Sequence, residues 1–285
     1  MNITVAVACT ASEIDTGNGC VDTKFTITTT NLNANAVFKF VLSASGIFYV
    51  DWNDGSSVEI ITRNNNTTPT EYSHTYATAG QRIIKFAGLA TGYNTTSYNN
   101  DKDSSGAAIR FGASNNNIST RTGGTPTLIA SLDGSIGSAF PTLNGGTNDS
   151  DKPTFFDLCN GCTELQTISG NLFSGVTTAK KNLFRSVFDK CTNLTGIPDG
   201  LFSYAYGSAE SMFRSAFYQC KKLSVFPDNL FPNIDGAAAN MFMYTFFLRL
   251  ILRRLINIFL VILSWGYMDK LLLIYLILHL KNPTW

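Results

Sequence analysis

Phe184-Arg-Ser-Val-Phe188-Asp-Lys-Cys191-Thr-Asn-Leu194-Thr-Gly-Ile197-Pro198-Asp-Gly-Leu201-Phe202 returns, with the same internal spacing, as Phe213-Arg-Ser-Ala-Phe217-Tyr-Gln-Cys220-Lys-Lys-Leu223-Ser-Val-Phe226-Pro227-Asp-Asn-Leu230-Phe231. Three ladders share the step from 184 to 213. Cys162, Cys191 and Cys220 each precede a leucine by three positions: Leu165, Leu194 and Leu223. Leu172-Phe173 returns as Leu201-Phe202 and Leu230-Phe231. Phe155, Phe184, Phe213 and Phe242 form the third ladder. A fixed period in this range marks stacked repeats, because one unit cannot bury its own aromatic side chains and a neighbour must. Each such side chain gains roughly 1.5–3 kcal/mol from burial.

Within one unit, Met212, Phe213, Ala216 and Phe217 lie at i, i+1, i+4 and i+5 and predict an apolar helical stripe, with Ser208 as N-cap. Leu223–Phe226 predicts a short strand that Pro227, which lacks an N–H, brings to an end. Asp228 and Asn229 turn the chain, and Leu230-Phe231 plugs the core. Thr127–Leu132 reads as an atypical first strand.

Upstream, the signals are those of strands. Val37–Leu42, Ile47–Trp52, Val58–Ile61, Tyr72–Tyr76 and Arg82–Phe86 are separated by turn residues such as Asp54-Gly55 and Ala79-Gly80. Short strands at this spacing predict a sandwich. Gly92–Thr127 is rich in Asn, Ser, Thr and Gly and reads as an irregular edge and linker.

Two resemblances follow from these residues. Asp51-Trp52-Asn53-Asp54-Gly55, then Ser73-His74-Thr75-Tyr76 and Gly80, resembles the PKD-like Ig-type domain, although Asn53 stands where that family often has Gly. This implies a β-sandwich spacer or adhesion module without an active site. Phe-x-x-Cys-x-x-Leu-x-x-Ile/Phe, over Phe188–Ile197 and Phe217–Phe226, and the following Pro-Asp-x-Leu-Phe resemble the BspA-like leucine-rich repeats of bacterial surface proteins. This implies a strand-and-helix solenoid at a cell surface that binds host or matrix macromolecules.

The expected architecture is therefore multidomain. An N-terminal segment (1–21) precedes an all-β PKD-like sandwich (22–111), a linker (112–126), an α/β leucine-rich-repeat solenoid (127–246) and an apolar basic tail (247–285).

Charge divides the chain. Residues 1–246 hold 16 Lys+Arg against 19 Asp+Glu, and residues 247–285 hold 5 against 1. Such weak charge in a Thr/Ser/Asn-rich chain suits extracellular β-structure and not nucleic-acid binding, which requires a basic face. Met1–Cys9 lacks the basic start of a signal peptide, so an export signal is expected upstream and the chain reads as a fragment. The tail, 247–285, has 18 Leu or Ile, against 11 in the far longer stretch 155–246. Its apolar runs Ile256–Leu263 and Leu271–Leu280 are shorter than the ~20 residues a helical span needs. A membrane anchor, a basic amphipathic helix on a membrane and a shift of reading frame near Phe246 compete, and the last is preferred. It predicts that another frame restores repeat-like residues.

No catalytic constellation is present, and no enzyme activity, cofactor or metal site is expected. His74 needs a partner set for catalysis and reads as an imidazole bonded within the sandwich beside the Asp51/Asp54 turn. Asp51, Asp54 and Glu59 are a candidate oxygen set for Ca²⁺, but turn chemistry explains Asp54 without an ion. Cys159-Asn-Gly-Cys162 has the spacing of a redox or metal pair, yet Cys159 occupies the ladder position of Phe188, Phe217 and Phe246 and reads as core. Cys9 and Cys20 are a candidate disulfide. Lys180, Lys181, Arg185, Lys190, Arg214, Lys221 and Lys222, with Asp189, Asp199 and Glu210, form either a ligand face or a solvated one. Asn94, Asn117 and Asn193 open sequons. The function expected is a monomeric, surface-exposed binding or adhesion protein contacting a host or matrix protein or glycan. A ligand-free stalk is the first rival. A glycan-binding accessory module, using Tyr49 and Trp52, is the second.

Overall fold

A computed structural model describes residues 8–95, 106–113 and 124–246. Expectations for the tail, for Asn117 and for the residues before Ala8 lie outside the described residues.

The strands are β1 (Glu13–Asp15), β2 (Cys20–Thr29), β3 (Ala36–Leu42), β4 (Ser45–Asp51), β5 (Glu59–Arg63), β6 (Thr70–Tyr76), β7 (Ile83–Gly92), β8 (Ile109–Arg110), β9 (Ile129–Gly134) and β10 (Thr167–Ile168). One sheet runs β10-β9-β2-β7-β4-β5, with β1 beside β2, and the other runs β6-β3-β8. Among the described strands only the β9–β10 pair is parallel, so the larger sheet is mixed.

Period-two alternation explains the layers. Phe25 and Ile27 of β2, Phe38 and Phe40 of β3, Phe48 and Val50 of β4, and Ile84 and Phe86 of β7 are all buried. Phe25 stacks on Phe86 at 4.6 Å, and Phe40 meets Phe86 edge-on at 5.4 Å. A Cβ at Gly88 would lie 2.2 Å from the Ile47 carbonyl oxygen, so glycine permits the close approach of β4 and β7. Cys9 and Cys20 form a disulfide that ties residue 9 to the start of β2.

The expected α/β leucine-rich-repeat solenoid is not what forms. Among the described residues the single α-helix is α1 (Ile136–Ala139), four residues long, and it lies before the repeat ladders. Between 155 and 246 the regular structure is limited to β10 and the isolated bridges Thr178↔Tyr206 and Gly196↔Val225. Ser208 caps no helix; its hydroxyl donates to the carbonyls of Asp235 and Gly236 at 2.7 and 2.9 Å.

Turns replace the helix, and their hydrogen bonds show how. The N–H groups of Leu183, Arg185, Val187, Asp189 and Cys191 each bond the carbonyl three residues back. The alternate N–H groups, on Asn182, Phe184, Ser186, Phe188 and Lys190, instead reach the carbonyls of Glu210, Met212, Arg214, Ala216 and Tyr218, at 2.7–3.1 Å. The same pattern links Phe155, Asp157, Cys159 and Gly161 to 183, 185, 187 and 189, and Ser211, Phe213, Ser215 and Phe217 to 239, 241, 243 and 245. Along these turn segments each rung thus hands every second N–H to the next, a pattern that leaves no i→i−4 helical ladder there.

The arrangement strains the backbone. Asn182, Ser186 and Lys190 have φ of 62°, 50° and 60°, and Ser211, Ser215 and Gln219 have 56°, 56° and 58°. Left-handed residues therefore recur every fourth position. Asn and Ser tolerate that region better than long side chains, and glycine tolerates it best. The first rung already has Gly161, φ 76°, where later rungs have Lys190 and Gln219. Gln219→Gly is accordingly expected to stabilise the protein by about 0.5–1 kcal/mol, the strain relieved less the entropy added to the unfolded chain. Urea unfolding measures it, and a loss of stability contradicts the left-handed assignment.

The ladder side chains lie in columns. Phe155, Phe184, Phe213 and Phe242 stack successively at 6.2, 5.5 and 5.5 Å, with interplanar angles of 9°, 18° and 6°. Phe173, Phe202 and Phe231 stack at 5.8 and 5.7 Å. Phe188, Phe217 and Phe246 stack at 5.6 and 5.4 Å. These columns continue the sandwich core. β9 pairs with β2, and the N–H groups of Ala108, Phe111, Gly112 and Ala113 donate to the carbonyls of Thr154, Leu158 and Asn160. The segment around β8 therefore closes the first rung.

Candidate functional site

Two places bear on function: the turn after β4 and the outer face of the rungs. At the turn, Asp51 accepts the Asn53 N–H, and Asp54 Oδ1 accepts both the N–H and the hydroxyl of Ser56. Asn53, with φ 55°, supplies the left-handed residue this turn needs. His74, on β6, is brought opposite, and its Nε2 is hydrogen-bonded to Asp54 Oδ2 at 2.7 Å. The imidazole lies flat on the Trp52 indole, 4.7 Å between centroids and 8° between planes. Trp52 Nε1 donates to Glu59, and the Tyr76 hydroxyl donates to the Trp52 carbonyl.

This is a cross-sheet lock. Asp51, Asp54 and Glu59 bond four different partners within the fold, Asn53, Ser56, His74 and Trp52, and not one centre. Among the described residues there is no group of three or more His, Cys, Asp or Glu that could hold a metal ion. Trp52 is 2 % exposed, which removes it as a glycan-stacking surface. Tyr49, on the opposite face of β4, is half-buried.

Partial burial pushes the Asp54 carboxyl upward, but the bonds from Ser56 and His74 outweigh it and hold the group at about 2. A carboxyl depressed on folding adds stability above its unfolded value, near 3.9, and that stability disappears as pH falls through the folded value. Stability should therefore decline between about pH 4 and pH 2, and Asp54→Asn should flatten that part of the profile. Chemical unfolding at stepped pH checks this; identical profiles for parent and variant would contradict it.

The four remaining cysteines are buried thiols. Cys162 donates its N–H to the Cys159 carbonyl in a turn, and the Cys191 thiol donates to the same carbonyl at 3.2 Å. Burial pushes all four thiols up, so the reactive thiolate is suppressed.

The charged residues between the ladders do not share one face. Arg185 and Asp189 are buried, and the Arg185 guanidinium lies 5.0 Å over the Phe156 ring. Lys180 donates to the carbonyls of Asp149 and Lys152, and burial brings its pKa down to about 8. Lys181 pairs with Glu210 at the surface at 2.9 Å. Lys221 and Lys222 stand exposed, near exposed Ser224 and Val225. Composition alone does not separate these two groups, since both are charged residues between apolar ladders.

The outward positions align across rungs. Thr192 donates to the Thr163 carbonyl, Asn193 to the Glu164 side chain and Ser224 to the Thr195 carbonyl, each 29 residues apart. Inside, the apolar character is held, and several ladders keep their residue (Phe173, Phe202 and Phe231; Leu165, Leu194 and Leu223; Cys162, Cys191 and Cys220), while others exchange one apolar residue for another, as Leu158, Val187 and Ala216 do. Outside, the residue type is not held. Thr163, Thr192 and Lys221 share one position, Glu164, Asn193 and Lys222 the next, and Thr167, Gly196 and Val225 a third. Tyr206 and Val225, at 60 % and 58 % exposed, are the most open large apolar side chains among the described residues. The Asn94 side chain is buried, which closes that sequon to a glycan. No family model, curated protein or solved structure matches this chain.

Proposed function

We propose that the chain is a non-catalytic, surface-displayed binding or adhesion protein that contacts macromolecules with the outer face of its rungs. The observation that supports this most directly is the divergence just described. Buried positions stay apolar from rung to rung, several with the same residue, while outward positions change from acidic and neutral to basic, as Glu164, Asn193 and Lys222 do. A regular interior with a varied exterior is what a presented surface requires. The resemblance of the Asp51–Gly55 and Ser73–Tyr76 elements to PKD-like domains favours a spacer carrying that surface. The Cys9–Cys20 disulfide favours an oxidising compartment, outside the cytosol.

The test is binding of the whole chain to arrayed matrix proteins, mucins and glycans. Binding that Lys221→Glu with Lys222→Glu weakens about tenfold or more, the equivalent of ~1.4 kcal/mol, supports the reading. Uniform silence across the arrays replaces it with the stalk.

A further inference from the structure

The loop from β5 to β6 presents one asparagine unlike the others. Its sequence, Asn64-Asn65-Asn66-Thr67-Thr68, carries two overlapping Asn-x-Thr acceptor motifs, opened by Asn65 and Asn66. The Arg63 guanidinium, buried at the end of β5, anchors the loop: its Nη2 donates to the carbonyls of Asn65 and Thr68 at 3.0 and 2.7 Å. The Asn94 side chain fixes it again by donating to the Thr67 carbonyl at 3.2 Å. On this frame Asn65 Oδ1 accepts both the N–H and the hydroxyl of Thr67, each at 2.7 Å. A backbone N–H can only donate, so the atom it faces is the amide oxygen, which leaves Nδ2 unengaged. Asn65 and Thr67 are both exposed.

Among the described residues Asn65, Asn66, Asn94, Asn148 and Asn193 open such motifs. All but Asn65 already engage the amide nitrogen. Asn66 donates to the Tyr93 carbonyl at 3.0 Å, Asn94 to Thr67, Asn148 to Asp151 at 3.1 Å, and Asn193 to Glu164 at 3.3 Å. Asn94 is buried as well. Asn65 alone combines an exposed nitrogen that has no partner among the described residues with a hydroxyl already seated on its oxygen. We infer that Asn65 is a glycan attachment site, which takes a hexose from a sugar diphosphate. Nδ2 attacks the anomeric carbon, and the N–C bond forms as the C–O bond to the diphosphate breaks. The diphosphate leaves with that electron pair, and one Nδ2 proton passes to a base of the transferase. Oδ1 keeps its bonds from Thr67, so the loop retains its turn.

The test treats the folded full chain with UDP-glucose and a soluble asparagine-directed glucosyltransferase, and locates each hexose by peptide mass spectrometry. The other four nitrogens become available only by local opening, so Asn65 should be modified at least ~10-fold faster than any of them. Short peptides spanning the five motifs should react alike. Asn65→Gln should remove the fast site and leave Asn66 bare, although the Asn66-Thr-Thr motif is intact. A second arm, secretion from cells that deliver sugar from a lipid diphosphate, separates the two donors: a hexose on Asn65 in one arm alone names the donor class. Asn65 bare in both arms overturns the inference. So does equal modification of Asn148 or Asn193 on the folded chain, or the same preference for Asn65 among the peptides, which would trace it to sequence and not to the fold. A hexose that moves to Asn66 in the Asn65→Gln chain overturns it equally.

Discussion

Phe213→Ala is expected to cost about 3–5 kcal/mol, the range for a well-packed aromatic removed from a core. Its ring is sandwiched between Phe184 and Phe242, 5.5 Å from each, and also meets Phe202 and Phe231 at 5.0 and 4.5 Å. Aromatic neighbours anchored in their own columns have little room to collapse into the space. Urea unfolding of parent and variant measures the difference. Phe242→Ala, at the half-buried end, should cost distinctly less. Equal costs at 213 and 242 would contradict the columnar arrangement.

Gly112→Ala is expected to be nearly as damaging, about 3 kcal/mol, at the upper end for overpacking a tight site. A Cβ there would stand 2.3 Å from the Asn160 nitrogen and 2.6 Å from the Asp157 carbonyl oxygen. Both are backbone atoms of the first rung and cannot rotate away. The Gly112 N–H itself donates to the Leu158 carbonyl at 2.8 Å. The substitution should therefore separate the sandwich from the rungs, and unfolding should change from one transition to two. A single unshifted transition would mean that the β8 segment does not close the first rung.

Much of the sandwich was legible because alternation is a direct signature of a half-buried strand. Phe38 and Phe40, then Phe48 and Val50, fall inward as their spacing demands. The bonding of His74 beside the Asp54 turn was legible for a similar reason: an Asp-Gly turn supplies an acceptor, and a lone histidine seeks one. The pairing of β9 with β2 was not, since an antiparallel contact between strands so far apart in the chain leaves no local pattern.

The helix expectation failed for a specific reason. Apolar pairs at i, i+1, i+4 and i+5 satisfy the helical period within the tolerance of so short a segment. They satisfy a turn unit of four residues equally well. What distinguishes the two is the destination of the alternate N–H groups, and that depends on the next rung, as Phe184 depends on Met212. Asn182, Ser186, Ser211 and Ser215, all poor helix formers, recur at the left-handed positions and were the available clue. The charged residues between the ladders were misleading in a different way. Arg185 and Asp189 sit beside phenylalanines in sequence, as exposed residues of an amphipathic helix would, but a turn-built rung folds them inward.

The most direct test of the rung architecture is a through-hydrogen-bond coupling experiment on isotope-labelled protein, reading which carbonyl each amide bonds. The amides of Phe184, Ser186 and Phe188 should correlate with the carbonyls of Met212, Arg214 and Ala216. Correlations instead to the carbonyls four residues back, those of Lys180, Asn182 and Phe184, would restore a helix and contradict the stacked-turn account.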